Sequence, residues 1–390
     1  MTQNDHTLDG ALSRAHNRFD RMEWAGALGD LGTLIPFAVA YITLLKLDPF
    51  GVLFTFGVAQ IIVGLHYKTP FPVQPMKAIG AIATVQAAQT LMIGPGAVYV
   101  AGLATGLVWL LLGVTGAVRV VARLVPRQVI FGIVLGLGFS FMLEGIRMMA
   151  TGWVLGAIAL AGMLVLLANK RVPAMFLLLI FGAGAALLQD PSLAGQLAQV
   201  RAELRLPAWT LSGLTWNDLV VGTLFLALPQ VPLTLGNAII AVTEENNRLF
   251  PARSVTERKV SISTGLMNLL APTVGGVPMC HGAGGMAGHV RFGARTGGAP
   301  IILGTLLVLL ALFLSGSIET LFKMFPAPVL GVMLFLAGTQ LALGAGDGDE
   351  TRGARLVRYT TAAFAVWNTG AAFLVGIALH HLLQKGWVKP

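Results

Sequence analysis

Two short stretches decide how this chain folds: PFPVQPMKAIGA, Pro70 to Ala81, and GGVPMCHGAGGMAGHVRFGARTG, Gly275 to Gly297. Each stretch places a Pro-Met pair and a polar residue, Lys77 or His281, where an apolar run begins. The two pairs lie at matching points of the two halves of the chain. In a membrane protein, broken helices at matching points of two repeats are the best sequence pointer to a ligand site.

The composition indicates that the chain is embedded in a membrane. Hydrophobic residues make up 55% of the sequence and charged residues 11%, with a mean hydropathy of +0.77, whereas a soluble domain contains about 25% charged residues. Long windows contain no Asp, Glu, Lys or Arg, among them 78–118, 219–243 and 359–384. About 20 apolar residues span a bilayer as a helix. Such windows leave no polar face for water, which excludes a large soluble core.

These windows predict an all-α polytopic membrane protein with about 14 transmembrane elements. We place the elements near residues 24–45, 50–66, 74–91, 96–118, 128–146, 150–169, 172–189, 217–243, 256–272, 279–290, 297–316, 326–344, 354–368 and 369–384. The third and the tenth are predicted to be half-helices that do not cross the membrane.

The elements divide into two repeats of seven. The predicted division is a cytoplasmic amino-terminal tail (1–22), a first repeat (23–189), an outer linker (190–216) and a second repeat (217–390). An odd number of elements inserts the second repeat upside down relative to the first. Weak internal similarity supports the division, because Ala27–Leu31 matches Ala227–Val231 at an offset of 200 and Pro75-Met76 matches Pro278-Met279 at an offset of 203.

The basic residues predict the orientation. If the elements alternate sides, 20 Lys and Arg residues share the side of the amino terminus, five lie on the other side, and Lys77 is left inside the membrane. Loops rich in Lys and Arg face the cytoplasm, so both termini are predicted to be cytoplasmic in an integral protein of the cell (inner) membrane. The polar first 23 residues contain no signal peptide. The net charge of +9 does not indicate a nucleic-acid partner, because the basic residues are dispersed among loops.

The two hallmark stretches predict an anion site. Prolines hold the chain before Gln74 extended, and Pro75 suits the first turn of a helix. The beginning of a helix exposes unpaired N–H groups and the positive end of the helix dipole, which together bind anions. Lys77 adds a full positive charge, and in the other half the glycines after His281 let an anion approach the backbone closely. Two such beginnings that meet at mid-membrane predict a cage of donors for a small oxyanion.

Each of these residues has a structural alternative. The less favoured alternative for Lys77 is that it extends toward an interface, because a charge within the membrane usually has a function. The alternative for His281 is a core histidine bonded to a carbonyl group. The glycines that follow His281 also suit close helix packing. Cys280, the only cysteine, and His281 are adjacent without a further Cys or His nearby, so we expect no metal site.

The first span of each repeat adds polar side chains. Asp30 and Thr33 lie in an apolar stretch with three glycines, and Gln230 lies between Pro229 and Pro232, which we expect to interrupt the matching helix. A carboxylate beside an anion site is costly when charged, which suits a proton carrier. The alternative is that Asp30 caps a helix near the water interface.

The chain resembles the molybdate transporters of the sulfate permease superfamily. The resemblance rests on GALGDLGTLIP from Gly26, VQPMKAIGAIA from Val73, LPQVPLTLGNAIIAV from Leu228 and PMCHGAGGMAGHVRFGARTG from Pro278, and it runs over nearly the whole chain. It implies a uracil permease/sulfate permease-like fold, in which two intertwined inverted repeats form a core domain and a gate domain. It also implies uptake of molybdate, and it maps the substrate-binding residues to Gln74, Pro75, Met76, Lys77, Cys280, His281, Gly282 and Ala283. Sulfate permeases carry a cytoplasmic regulatory domain after the last span, and a sequence that ends at Pro390 without one fits the molybdate branch that the resemblance implies.

We therefore expect a secondary transporter that imports molybdate without a cofactor, with Asp30 or His281 as the proton-coupling group. Gln230 and Thr33 complete the predicted binding residues. Sulfate, tungstate or a nucleobase is an alternative cargo, and a homodimer is an alternative to a monomer. A membrane-embedded enzyme that uses Cys280 and His281 is disfavoured, because neighbouring residues on a helix point about 100° apart and are poorly arranged as nucleophile and base.

Overall fold

A computed structural model of the chain describes residues 16–43, 45–76, 79, 93–123, 126–166, 174–343, 351–367 and 369–387. Within these residues, four helices are long and apolar enough to cross a membrane, or up to five if a bent pair counts as one span. Four shorter apolar helices accompany them. The chain is therefore an α-helical integral membrane protein, as its composition predicts.

The first half of the chain contributes nine helices among the described residues. They are α1 (Arg21–Leu28), α2 (Leu31–Thr43), α3 (Pro49–Tyr67), α4 (Pro95–Thr115), α5 (Ala117–Arg123), α6 (Arg127–Ala150), α7 (Trp153–Leu166), α8 (Ala174–Gln189) and α9 (Ser192–Ala198). A two-residue strand, β1 (Gln74–Pro75), lies between α3 and α4.

The second half opens with one long helical stretch of five consecutive segments. They are α10 (Trp216–Val220), a π-helical segment (Val221–Ala227), α11 (Leu228–Leu233), a second π-helical segment (Thr234–Ala241) and α12 (Val242–Leu249). The remaining elements are α13 (Glu257–Leu270), β2 (Met279–Cys280), α14 (Ala283–Arg291), α15 (Gly298–Leu314), α16 (Ile318–Phe322), α17 (Ala327–Leu343), α18 (Arg352–Trp367) and α19 (Thr369–Gln384).

Helices from the two halves pack against each other in pairs. Helix α3 lies along α15, α4 along α13, and α6 along both α17 and α18. Small residues allow these close crossings: a Cβ atom on Gly57 would lie 2.7 Å from the carbonyl oxygen of Gly304, and one on Gly138 would lie 2.8 Å from that of Gly338. The two halves are therefore interleaved rather than side by side.

Three sequence predictions about helix boundaries are wrong. The span predicted for 24–45 breaks between α1 and α2, at Gly29 and Asp30. The predicted interruption at Pro229 and Pro232 is absent, because the helix continues through α11 with a π-helical segment on either side. A proline supplies no N–H group to the turn before it, and widened π turns are one way in which a helix absorbs a break in its hydrogen-bond ladder.

The third correction concerns the hallmark stretches. Pro75 lies in β1 and not in the first turn of a helix, and Met279 and Cys280 form β2, so the second half-helix begins at Ala283. Each Pro-Met pair is therefore strand or extended chain, and the helix beginnings lie further along. Most other predicted spans agree with the helices to within a few residues, including the last two, α18 and α19.

Candidate functional site

The two hallmark stretches meet as a small antiparallel sheet. Gln74 pairs with Cys280 and Pro75 with Met279, and the N–H group of Met76 donates to the carbonyl oxygen of Pro278 at 2.9 Å. Because the strands are antiparallel, the residue that follows β1, Met76, lies beside Pro278, which precedes β2, and the residue that follows β2, His281, lies at the opposite end of the sheet. The meeting of the two halves that the sequence predicts is thus produced by backbone pairing.

Buried amide side chains hold this sheet in place. Asn268 of α13 clamps Met279 from both sides of its peptide unit, accepting from the Met279 N–H at 2.8 Å and donating to the Met279 carbonyl at 2.6 Å. Gln60 of α3 donates to the carbonyl oxygen of Val73 at 3.1 Å. These hydrogen bonds fix the two strands to α3 and α13.

Helix α14 begins directly beside β1 with unpaired backbone donors. Gly282 is its N-cap and has no side chain to cap the helix. Within the described residues, the N–H groups of Ala283 and Gly284 have no hydrogen-bond partner. These donors and the positive end of the helix dipole make the beginning of α14 suited to an anion.

Gln74 lies over this helix beginning. A Cβ atom on Gly282 would collide with Oε1 of Gln74, and one on Gly285 would lie 2.8 Å from Nε2 of Gln74. Nε2 also donates to Oδ1 of Asp30 at 2.8 Å, and both residues are buried. The glycines therefore let the Gln74 carboxamide lie against α14, and Gln74 connects that helix to the break between α1 and α2.

Gln230 contacts the first half-helix, as Gln74 contacts the second, α14. Its Oε1 accepts from the N–H group of Ile79 at 3.3 Å, and its Nε2 donates to Oγ1 of Thr234 at 2.9 Å. Ile79 is the one described residue of the first half-helix, and it is helical. Lys77 lies outside the described residues, and so does the side chain of Thr33, whose backbone belongs to α2.

His281 is held by protein groups at both ring nitrogens. Nδ1 lies 2.8 Å from the carbonyl oxygen of Pro72, and Nε2 lies 2.7 Å from Oγ of Ser263. A neutral ring that donates from Nδ1 and accepts at Nε2 satisfies both contacts. Phe71 packs edge-on against the ring at 5.0 Å. The side chain therefore fastens the loop before α14 to α13, and only its backbone is left for a ligand.

Asn237 also lies near the beginning of α14, although the predicted binding residues do not include it. It lies in the π-helical segment Thr234–Ala241, is buried, and its Oδ1 has no hydrogen-bond partner within the described residues. Its Nδ2 lies 3.6 Å from the position of a Cβ atom on Gly282. The available signal was spacing, since Asn237 follows Gln230 by seven residues and therefore lies on the same helix face.

Phe141 of α6 lies against the beginning of α14. A Cβ atom on Gly284 would collide with the Phe141 ring. The ring thus touches the helix beginning that carries the unpaired donors. Helix α6 packs along α17 and α18, and α14 itself packs against α17.

The sequence matches the family described as "Molybdate transporter of MFS superfamily" over residues 22–141 and 222–341. The two matched segments begin 200 residues apart, the offset found between Ala27–Leu31 and Ala227–Val231. "Molybdate transporter 1" of Arabidopsis thaliana is 30% identical over 94% of this chain and 89% of its own length. "Molybdate transporter 1" of Chlamydomonas reinhardtii is 29% identical over 93% of this chain and 92% of its own length.

Solved structures of anion transporters share the fold. The transmembrane domain of the cyanobacterial bicarbonate transporter BicA has a TM-score of 0.59 at 15% identity and covers 92% of this chain and 98% of that domain. The inward-facing murine Slc26a9 anion transporter has a TM-score of 0.61 at 12% identity and covers 98% of this chain and 71% of its own. The likeness in fold is thus to the sulfate permease type that the sequence resembles, although the family description names a different superfamily.

Proposed function

Because the chain belongs to the molybdate transporter family, we propose that it is a secondary active transporter that imports molybdate across the membrane. The family consists of transporters, so the alternative of a membrane-embedded enzyme is set aside. Sulfate and tungstate remain competing cargoes to be tested, since they are tetrahedral oxyanions of the same charge. A nucleobase is disfavoured, because its ring N–H groups require paired carboxylates, and within the described residues the hydrogen bonds of Gln74 reach one carboxylate, that of Asp30.

The observation that carries the proposal is the donor set at the beginning of α14. The unpaired N–H groups of Ala283 and Gly284 are joined there by the carboxamides of Gln74 and Asn237. Each is a neutral donor, and a tetrahedral dianion has acceptor oxygens on every side. Donors fixed in advance interact strongly with an anion in a site from which water is excluded.

The first half-helix supplies the positive charge in this account. Lys77 follows Met76, whose N–H group is already paired with the second stretch. An oxyanion that leaves water loses strong hydration, and a full charge in a low-dielectric cavity offsets more of that loss than dipoles do. The proposed site therefore combines Lys77 and the Gln230-bound helix on one side with the amides of α14 on the other.

Asp30 is the proposed proton carrier. Its carboxyl group is buried and shares Gln74 with the anion site. A dianion that enters beside it favours the neutral, protonated form of the acid, so anion and proton enter together. His281 is a weaker candidate, because its two ring nitrogens already serve Pro72 and Ser263.

Uptake by proteoliposomes tests the proposed function. We expect molybdate to accumulate inside vesicles when the pH outside is lower than inside, and to accumulate less without the gradient. Excess tungstate or sulfate added outside ranks the competing oxyanions. Protein-containing vesicles that take up sulfate but no molybdate would contradict the proposal. Molybdate uptake that is the same with and without the pH gradient would contradict only the proposed coupling to protons.

We propose an orientation with both termini in the cytoplasm of the cell that makes the protein. The excess of Lys and Arg on the side of the termini supports it, and contacts between distant segments agree with the grouping of helix ends into two sides. Arg205 binds Asp48 at 2.8 Å on the predicted outer side, and Arg127 binds Glu244 at 3.2 Å on the inner side.

Thiol labelling tests this orientation in a Cys280→Ala background. Ser192 and Arg355 are both exposed and are the positions chosen for single cysteines, Ser192→Cys and Arg355→Cys. A membrane-impermeant reagent outside intact cells is expected to label the first variant and not the second. The reverse pattern would invert the proposed topology.

A further inference from the structure

We propose that the groove between α3 and α13 binds one anionic phospholipid, with an acyl chain along the helices and the phosphate at Lys259 and His66. The groove has a volume of about 680 Å³. Its lining is almost entirely apolar, and six of the residues that line it are Val58, Ile62, His66, Lys259, Ser263 and Leu266. This proposal does not depend on which anion the protein transports.

The groove opens toward the hydrocarbon of the membrane. Ile62 on α3 and Leu266 on α13 line it and are 59% and 47% exposed. In a membrane-spanning protein, exposed apolar side chains of this kind face lipid. The polar residues at its far end present no unsatisfied hydroxyl group, because Thr55 donates to Gly51 at 2.8 Å and Thr273 donates to Leu270 at 2.6 Å.

The length of the groove matches one leaflet. It extends along α3 from Phe54 to His66. Twelve residues at 1.5 Å per residue give a length of about 18 Å. The hydrocarbon of a bilayer is about 30 Å thick, so one leaflet contributes about 15 Å. An acyl chain that begins at the interface therefore fits along the whole groove, whereas a ligand that spans both leaflets does not.

Two nitrogen-bearing side chains meet at one end of the groove. Tyr67, next to His66, donates to the carbonyl oxygen of Lys259 at 3.3 Å, which holds the ends of α3 and α13 together. Within the described residues, neither the ammonium group of Lys259 nor the ring of His66 makes a hydrogen bond or ion pair. The neighbouring Arg258 is already engaged, donating to the carbonyl oxygens of Gly113 and Val114 at 3.1 Å. Lys259 is therefore left for an anionic headgroup.

This arrangement favours a phospholipid over other occupants. Basic side chains in pockets between transmembrane helices bind the headgroups of anionic lipids, at about 1 kcal/mol for each Lys or Arg. A free phosphate ion makes no contact with the apolar length of the groove. A zwitterionic lipid gains less electrostatic attraction from Lys259 than an anionic lipid does. The groove also backs onto the anion site, because Ser263 lines it and bonds to His281, so its occupant is expected to stabilise the folded protein.

Thermal unfolding of the purified full chain in a neutral detergent tests the proposal. Phosphatidylglycerol is expected to raise Tm in a saturable manner, whereas phosphatidylcholine with the same acyl chains acts only at far higher concentration, and glycerol phosphate has no effect. Lys259→Gln is expected to weaken the apparent affinity for phosphatidylglycerol about fivefold, which is the factor that about 1 kcal/mol represents. The exposed Lys385 provides the matched control, and Lys385→Gln is expected to leave that affinity unchanged.

A second pair of variants tests the apolar length. Val58→Trp fills the middle of the groove and is expected to abolish the saturable rise in Tm. Val165→Trp makes the same change on α7 at a position 79% exposed outside the groove, and is expected to keep the rise. If Lys259→Gln and Lys385→Gln lose equal affinity for phosphatidylglycerol, the lipid is attracted by the surface charge alone and the proposal is overturned. An equal response to both lipids, or an unchanged response in folded Val58→Trp, would also overturn it.

Discussion

The substitution Gly282→Ala tests whether the Gln74 carboxamide and the beginning of α14 form one binding surface. The new methyl group would collide with Oε1 of Gln74. Because that atom is at the far end of a flexible side chain, we expect the Gln74 carboxamide to turn away rather than the backbone to shift. Gln74 then loses its 2.8 Å hydrogen bond to Asp30, and its Nε2 group leaves its place beside Gly285.

The magnitude follows from the hydrogen bond between Gln74 and the bound molybdate dianion, which the proposed site includes and the variant would lose. A hydrogen bond to a charged group contributes about 1.5–3 kcal/mol, and about 1.4 kcal/mol is a tenfold change in affinity. We therefore expect Gly282→Ala to weaken molybdate binding roughly 10- to 150-fold. The free energy of unfolding is also expected to fall, by about 1–3 kcal/mol, because the buried carboxyl group of Asp30 loses a hydrogen-bond donor.

Isothermal titration of the purified variant with molybdate gives the affinity, and size-exclusion chromatography shows whether the variant is folded. Gly195→Ala is the matched control, because a Cβ atom at Gly195 meets no atom within 4 Å. In a Gln74→Ala background the Gly282→Ala change is expected to have little further effect, because residues that act through one contact are not additive. A folded Gly282→Ala protein that binds molybdate within twofold of the parent would refute the reasoning.

Substitutions at three further positions separate the roles of the remaining site residues. Asn237→Leu removes an unpartnered buried carbonyl oxygen together with a donor, so a higher Tm with at least about fivefold weaker binding is expected; unchanged affinity would exclude Asn237 from the site. Asp30→Asn mimics the protonated acid and should bind molybdate in titrations yet lose the stimulation of vesicle uptake by a pH gradient, and retained stimulation would make Asp30 structural. Lys77→Met should weaken binding at least about tenfold, or about 1.4 kcal/mol, while Lys77→Arg retains part of it because the charge stays; parent-like binding by Lys77→Met would mean that the lysine only anchors the helix at an interface.

Much of the architecture is predictable from the sequence because a bilayer leaves few choices. A long apolar window in a membrane must be a helix, since every backbone group needs an internal partner. The predicted ends of α3, α4, α13 and α19 therefore lie close to the observed ones. The count of fourteen elements and the division at residues 190–216 stay predictions.

The local details of the site depend on contacts between distant residues, which the sequence pattern does not reveal. Pro75 suits a helix beginning as well as a strand, and its pairing with Met279 decides in favour of the strand. Gln230 lies in a helix that continues through two prolines, because the adjoining π-helical segments accommodate them. The sequence suggests that His281 binds a ligand, whereas its side chain is hydrogen-bonded to Pro72 and Ser263 and holds the loop before α14 against α13.

The position of the bound metal atom tests the account most directly. Molybdenum scatters anomalously near its absorption edge, so crystals of the protein grown with molybdate locate the anion without assumptions about the surrounding side chains. We expect a single dominant anomalous peak beside the N–H groups of Ala283 and Gly284 and the carboxamides of Gln74 and Asn237. The peak should lie close enough for the molybdate oxygens to accept hydrogen bonds from these groups. A dominant peak elsewhere, with the beginning of α14 empty at saturating molybdate, would contradict it.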